Sequence, residues 1–164
     1  MNRRAWVYVW SVYAVAAVLA LQAGFSWSGP GHQGWLTVEV LFGLAIAAQL
    51  FKVEAPNHVL FYATPIFFFA GVTLLDPFLL FLLIAVAHLA EWVKERWAGS
   101  AYLSDWYLQP FNIAMFWVAS RGAQGVYLLL HGRAAAGNAW ELAAIMLAAG
   151  FYVLLNHTML GTAL

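Results

Sequence analysis

The chain has 164 residues, 65% of them hydrophobic and 9% charged, whereas about a quarter of a soluble domain is charged, so the composition is that of an integral membrane protein. Seven basic and seven acidic residues cancel, leaving no basic surface for nucleic acid and no acidic tail for cationic partners. The absence of cysteine excludes disulfides, thiolate metal sites and thiol redox chemistry.

Six apolar segments are expected in chain order: Ala5 to Phe25, Gly34 to Phe51, His58 to Leu74, Pro77 to Trp97, Pro110 to Leu130 and Ala139 to Leu164. The first follows Arg3 and Arg4 like a signal peptide, but its length is near the roughly 20 residues a membrane crossing needs, so it reads as a retained anchor. The segments SWSGPGHQG and KVEAPN punctuate the next two junctions. Asp76-Pro77 supplies an N-cap and a first-turn proline for the fourth span. Pro110 opens the fifth in a similar way, and Asn138 with Glu141 has capping-box spacing for the sixth. Pro65 falls inside the third span, where a kink is expected.

The expected fold is therefore all-α, a single bundle of about six transmembrane helices over 1–164. Orientation follows from the loop cations: with the N-terminus inside, Arg3, Arg4, Lys52, Lys94 and Arg96 are cytoplasmic and Arg133 is outside. Both termini are then cytoplasmic. The last span reaches Leu164 without a basic or polar flank, which suggests a piece of a longer chain. Of nine tryptophans, Trp6, Trp10, Trp27, Trp35, Trp92, Trp97, Trp106 and Trp140 sit near span ends, as interfacial belts do. Alanines and Gly150 in the sixth span suit close helix packing.

The polar residues are the informative ones. His88 lies eleven residues from Pro77, and Arg121 lies eleven from Pro110, each roughly 16 Å into its span. Arg121 is expected to face the bundle and pair with a carboxylate, carbonyls or water, with Glu39 and Glu91 the acids within reach. Toward the cytoplasmic side, Asn57, His58, Glu91, Lys94, Glu95, Asn112, Asn156 and His157 bring four helices to one polar level. His88, Glu91 and Glu95 share a helix face through their spacing, while Lys94 and Lys52 reach for the surface.

Two readings compete for that layer. One is a hydrogen-bonded network that fixes helix packing. The other is a binding or coupling site made of His58, His88, Glu91, Asn112, Arg121 and His157. A metal held by His88-x-x-Glu91 with His58 and His157 has no accepted ligand spacing behind it, and a proton relay suits these residue types. No nucleophile elbow, phosphate loop or paired aspartates are present, so catalysis by this chain is not expected. No cofactor is assigned.

KVEAPNH at 52–58, TPIFFFAGVTLLDPFLLFLLIAVAHLAEWVKERW at 64–97 and WYLQPFNIA at 106–114 resemble the N-terminal membrane domain of certain bacterial signalling proteins. Its most distinctive residues are His88-Leu89-Ala90-Glu91-Trp92, Phe111-Asn112-Ile113-Ala114 and Asn156-His157-Thr158. Those proteins resemble the chain over roughly Gly34 to Leu164 and continue into cytoplasmic HD-GYP phosphodiesterase or GGDEF diguanylate cyclase domains. The resemblance implies a sensory input domain for cyclic di-GMP turnover in the bacterial inner membrane. Its partners would be the lipid bilayer and a cytoplasmic output domain or protein. A homodimer suits such an input, although no glycine zipper demands one. The sequence departs from that pattern by ending before any catalytic domain, so the resemblance transfers no catalytic residue. The alternatives are a small-solute binding or transport subunit, favoured by Pro65 and Arg121, and a structural subunit of a larger membrane complex.

Overall fold

A computed structural model describes residues 3–27, 29, 34–51, 53–54, 60–61, 63–99, 105–131 and 137–163. Six helices run in sequence: α1 (Arg3–Phe25), α2 (Gly34–Leu50), α3 (Thr64–Leu74), α4 (Pro77–Trp97), α5 (Leu108–His131) and α6 (Gly137–Ala163). Between α2 and α3, the two-residue strands β1 (Val53–Glu54) and β2 (Leu60–Phe61) pair antiparallel, Val53 opposite Phe61.

Helices α1, α4, α5 and α6 are long and apolar enough to cross a membrane. The shortest of the four has 21 residues, about 31 Å at the α-helical rise and enough for a hydrocarbon core of about 30 Å. Helix α2, with 17 residues, reaches about 25 Å, and α3, with 11, only about 16 Å. The expectation of six full spans is thus met by four, with α3 a half-length helix. It begins at Thr64 instead of His58 because the chain just before it is committed to the β1–β2 ladder. Pro65 accordingly sits in the first turn, where its missing N–H costs nothing and no kink arises.

Local chemistry explains the other junctions. Asp76 caps α4 by accepting from the Phe78 amide at 2.9 Å, with Pro77 beginning the helix as expected. At the opposite end, Lys94 Nζ donates to the Leu50 carbonyl at 2.6 Å, satisfying one of the orphan acceptors of α2. Lys94 therefore ties α4 to α2 besides reaching the surface. The ends of α2, α4 and α6 and the starts of α1, α3 and α5 share one end of the bundle. There Tyr8 donates to the Met159 carbonyl at 2.7 Å and Tyr13 to the Tyr107 carbonyl at 2.8 Å.

Helix α5 is the central element, packed against α1, α3, α4 and α6, while α2 lies against α3 and α4. The core centres on Trp117, Phe68, Leu80, Leu83 and Ile84, all essentially inaccessible. Trp117 departs from the interfacial pattern of the other tryptophans: its indole donates to the Ala16 carbonyl at 3.1 Å and fastens α1 to α5. Small residues permit close approach, as expected of α6, where Ala144 and Ala148 are buried. A Cβ on Gly122 of α5 would lie 2.9 Å from Phe151, and one on Gly71 of α3 would lie 2.9 Å from Leu80 of α4. The outward faces of α1 and α6 are also apolar, including Val18, Leu21, Met146 and Leu154. Helices apolar on both faces are a signature of a hydrocarbon environment.

Candidate functional site

The 3–4 spacing along α4 turns His88, Glu91 and Glu95 to the interior, where they are 3%, 3% and 8% exposed. Burying such groups costs several kcal/mol unless they are hydrogen-bonded, and two glutamines supply bonds to His88 and Glu91. Gln49, from the last turn of α2, donates to Glu91 Oε2 at 2.7 Å and faces His88 Nδ1 at 3.4 Å. Gln109, from the first turn of α5, donates to the His88 carbonyl and to Glu91 Oε2 at 3.5 Å, and faces Nδ1 at 3.4 Å. Asn112, one turn on, donates to Gln109 Oε1 at 3.4 Å. Three helices are thereby joined through one polar layer.

Beside the layer lies a cavity of about 220 Å³. Its polar lining is Gln49, Thr64, His88, Glu91, Asn112 and Asn156, drawn from α2, α3, α4, α5 and α6. Its apolar wall is Pro65, Phe68, Met115, Phe116 and Leu160. Phe116 stacks on the His88 ring at 5.2 Å and 29°, with Phe68 5.7 Å from the same ring.

The start of α3 opens onto this cavity. Ala63, in the capping position, provides no side-chain cap, and the first turn carries no acidic residue. Among the described residues, neither a side-chain cap nor a first-turn acid offsets the positive end of the helix dipole there. Three of the lining residues carry a buried side-chain atom without a hydrogen-bond partner among the described residues: Thr64 Oγ1, His88 Nε2 and Asn156 Oδ1. Each such atom costs about 1–3 kcal/mol when left unsatisfied, so the arrangement calls for water or a ligand. Ser120 Oγ and Tyr152 OH are also buried without partners among the described residues, but neither residue lines this cavity.

The structure thus brings together His88, Glu91 and Asn112 of the expected residues, with Asn156 of the expected layer. His58 and Asn57 lie outside the described residues, as does Lys52. His157 is exposed on α6, with Nδ1 3.0 Å from the Val153 carbonyl of its own helix, because Asn156 occupies the inward position beside it. Arg121 is not part of the layer. Its Nη1 donates to the side-chain carbonyl Oε1 of Gln124 at 3.4 Å, so of the expected kinds of partner a carbonyl is found, in place of Glu39 or Glu91. Gln124 in turn donates to the Leu75 carbonyl at 2.9 Å, placing this second polar cluster at the α3–α4 corner.

Gln49, Gln109 and Thr64 were not anticipated. Both glutamines stand at span ends, where uncharged polar residues are ordinary, and Thr64 stood inside an apolar run. Gln109 directly before Pro110 was the one available signal, since first-turn side chains of α5 meet the last turns of α4. Among the described residues, no group of three or more His, Asp or Glu side chains is placed to hold a metal. A larger groove of about 570 Å³ between α1 and α4 is lined only by apolar side chains such as Leu21, Phe25 and Phe78, and so offers nothing for polar recognition.

Chemically, the α2–α6 cavity can receive a small molecule, orient it through a few hydrogen bonds and hold it against aromatic rings. Comparison with known proteins finds no matching family model, no matching curated protein and no matching solved structure, so the functional reading rests on this geometry.

Proposed function

We propose that the chain is a membrane-embedded sensory input domain of a bacterial signalling protein, with both termini on the cytoplasmic side of the inner membrane. The single observation that carries this reading is the cavity bounded by five helices, three of whose lining residues carry a buried polar atom without a partner among the described residues. A molecule bound there touches α2, α3, α4, α5 and α6 together, so its free energy of binding acts on their relative packing. A ligand that binds one packing about a hundredfold better than the other contributes about 2.7 kcal/mol to the shift between them. The output is a cytoplasmic domain or partner protein of cyclic di-GMP turnover, and no catalysis is assigned to this chain.

The test is to join the domain to a diguanylate cyclase domain and measure cyclic di-GMP output for the parent, His88→Ala and Glu91→Ala. Altered output in both variants, with the protein still folded in the membrane, is expected. Output indistinguishable from the parent refutes the site.

A second reading, a small-solute binding or transport subunit, is supported by the half-length α3 with its uncapped start at the cavity, a geometry shared by broken helices that hold substrates in transporters. Solute uptake into proteoliposomes that depends on His88 would favour it. A purely structural subunit has no use for the unpartnered atoms.

A further inference from the structure

We propose that the cavity takes the ring-shaped head group of a neutral, membrane-soluble molecule of the quinone type, held through a carbonyl oxygen that accepts from His88 Nε2–H and Thr64 Oγ1–H. This inference rests on the ligand-sensing reading above and gives the ligand its chemical class.

The hydrogen-bonding character of the site follows from the two glutamines. The amide nitrogens of Gln49 and Gln109 both face His88 Nδ1 at 3.4 Å, so in a neutral ring Nδ1 accepts and Nε2 carries the proton. Nε2 is then a buried donor without an acceptor, on a side chain only 3% exposed. Thr64 Oγ1, 1% exposed and likewise without a partner among the described residues, is a second donor, a hydroxyl, at the start of α3. The uncapped start of that helix adds a positive potential. All three features favour an oxygen acceptor.

Charge narrows the class. Glu91 lines the same cavity, so a ligand carboxylate or phosphate would stand beside a buried carboxyl group with no cation among the described lining residues to offset it. A cation, although drawn to the Glu91 carboxyl group, would meet the positive end of α3 and the Nε2–H donor of His88. A neutral carbonyl meets neither penalty.

Shape narrows it further. At about 220 Å³ the cavity is smaller than the roughly 300–1,000 Å³ of sites for drug-sized ligands, so it encloses one ring with small substituents. Phe68 and Phe116, whose rings lie 5.5 Å apart at 65°, present flat apolar surface to such a ring. Leu160 lines the cavity and is 44% exposed, so an apolar tail leaves past α6, whose outward side chains Val153 and Leu154 are exposed and apolar. Asn156 presents its amide from α6 to a second ring oxygen, and its oxygen and nitrogen exchange roles by rotation about the terminal bond.

Binding is measured by titration calorimetry on the whole chain in nanodiscs, with empty nanodiscs as the blank and three probes sharing one tail: decyl-1,4-benzoquinone, decanoate and decylbenzene. Saturable binding of one quinone per chain is expected, with decanoate and decylbenzene weaker by tenfold or more. His88→Leu should weaken quinone binding about tenfold, and Thr64→Val, which keeps side-chain shape and leaves the glutamine layer intact, several-fold. Thermal unfolding of each variant establishes that it is folded.

Equal binding of decylbenzene overturns the proposal, as does tighter binding of decanoate or quinone binding unchanged in both variants. Heat no greater than that of empty nanodiscs for every probe shows a cavity that holds water only, and overturns it too. Quinone binding without any effect on cyclic di-GMP output refutes the sensing reading and leaves the ligand class standing. Output that depends on His88 with no quinone binding does the reverse.

Discussion

The contact between Gln49 and Glu91 offers the sharpest test of what holds α2 against α4. Replacing Gln49 with leucine keeps side-chain volume and removes the 2.7 Å bond to Glu91 Oε2 at a position 4% exposed. A hydrogen bond contributes about 0.5–1.5 kcal/mol net in water-soluble proteins, and a buried group left unsatisfied costs about 1–3 kcal/mol, while side-chain bonds between membrane helices average about 0.6 kcal/mol. Glu91 retains Gln109 at 3.5 Å, which limits the loss. A destabilisation of about 1.5 kcal/mol is expected for Gln49→Leu, since the buried carboxyl group stays behind in the variant. Replacing both residues by leucine removes donor and acceptor together, so the double variant should be less destabilised than the two single changes added. The coupling between the two positions should be about 1 kcal/mol, within the range for residues in one network. Reversible unfolding in mixed micelles, followed by helix content against denaturing detergent, measures all four corners of the cycle. A coupling below about 0.3 kcal/mol, comparable to the additivity found for independent sites, would show that the polar layer does not hold these helices together.

Further outcomes follow from the packing. Gly71→Ala places a methyl group 2.9 Å from Leu80 and 3.0 Å from Leu83, both fully buried, so a loss of about 1–2 kcal/mol is expected from overpacking. Gly122→Ala meets the 39%-exposed Phe151, which can turn aside, and should cost less in the same unfolding assay. Trp117→Phe removes the donor to Ala16 and part of a fully buried indole, with an expected loss of about 2 kcal/mol from the bond and the space left behind. Asp76→Ala removes the cap on α4 and should cost about 1 kcal/mol, whereas Asp76→Asn, which retains an acceptor, should cost only a few tenths.

Much of the fold was legible along the chain because the governing terms are local. Transfer into hydrocarbon depends on the length and composition of each segment, so α1, α4, α5 and α6 lie close to the expected spans. The Asp76-Pro77 start of α4 depends only on the chemistry of its first turn. That His88, Glu91 and Glu95 share one helix face follows from helical spacing alone, while packing turned that face inward. Asn112 and Asn156 were foreseen at the right level because depth is nearly a count of residues from a helix end.

Tertiary structure decided which side chains meet. Helices apolar on all faces have no amphipathic pattern to set their rotation, and lipid competes for their surfaces as well as a neighbouring helix does. The partners of His88 therefore came from Gln49 and Gln109, and the partner of Arg121 was Gln124. None of these pairs has a signature in sequence spacing. The same holds for α3, whose apolar composition suited a full span, and which is short because the residues just before it pair as β1 and β2. Segment by segment, the sequence determined what enters the membrane and where each polar group lies along its helix. Only the packing of α2 and α5 on α4, with the start of α3 brought to the same level, assembled those groups around a cavity.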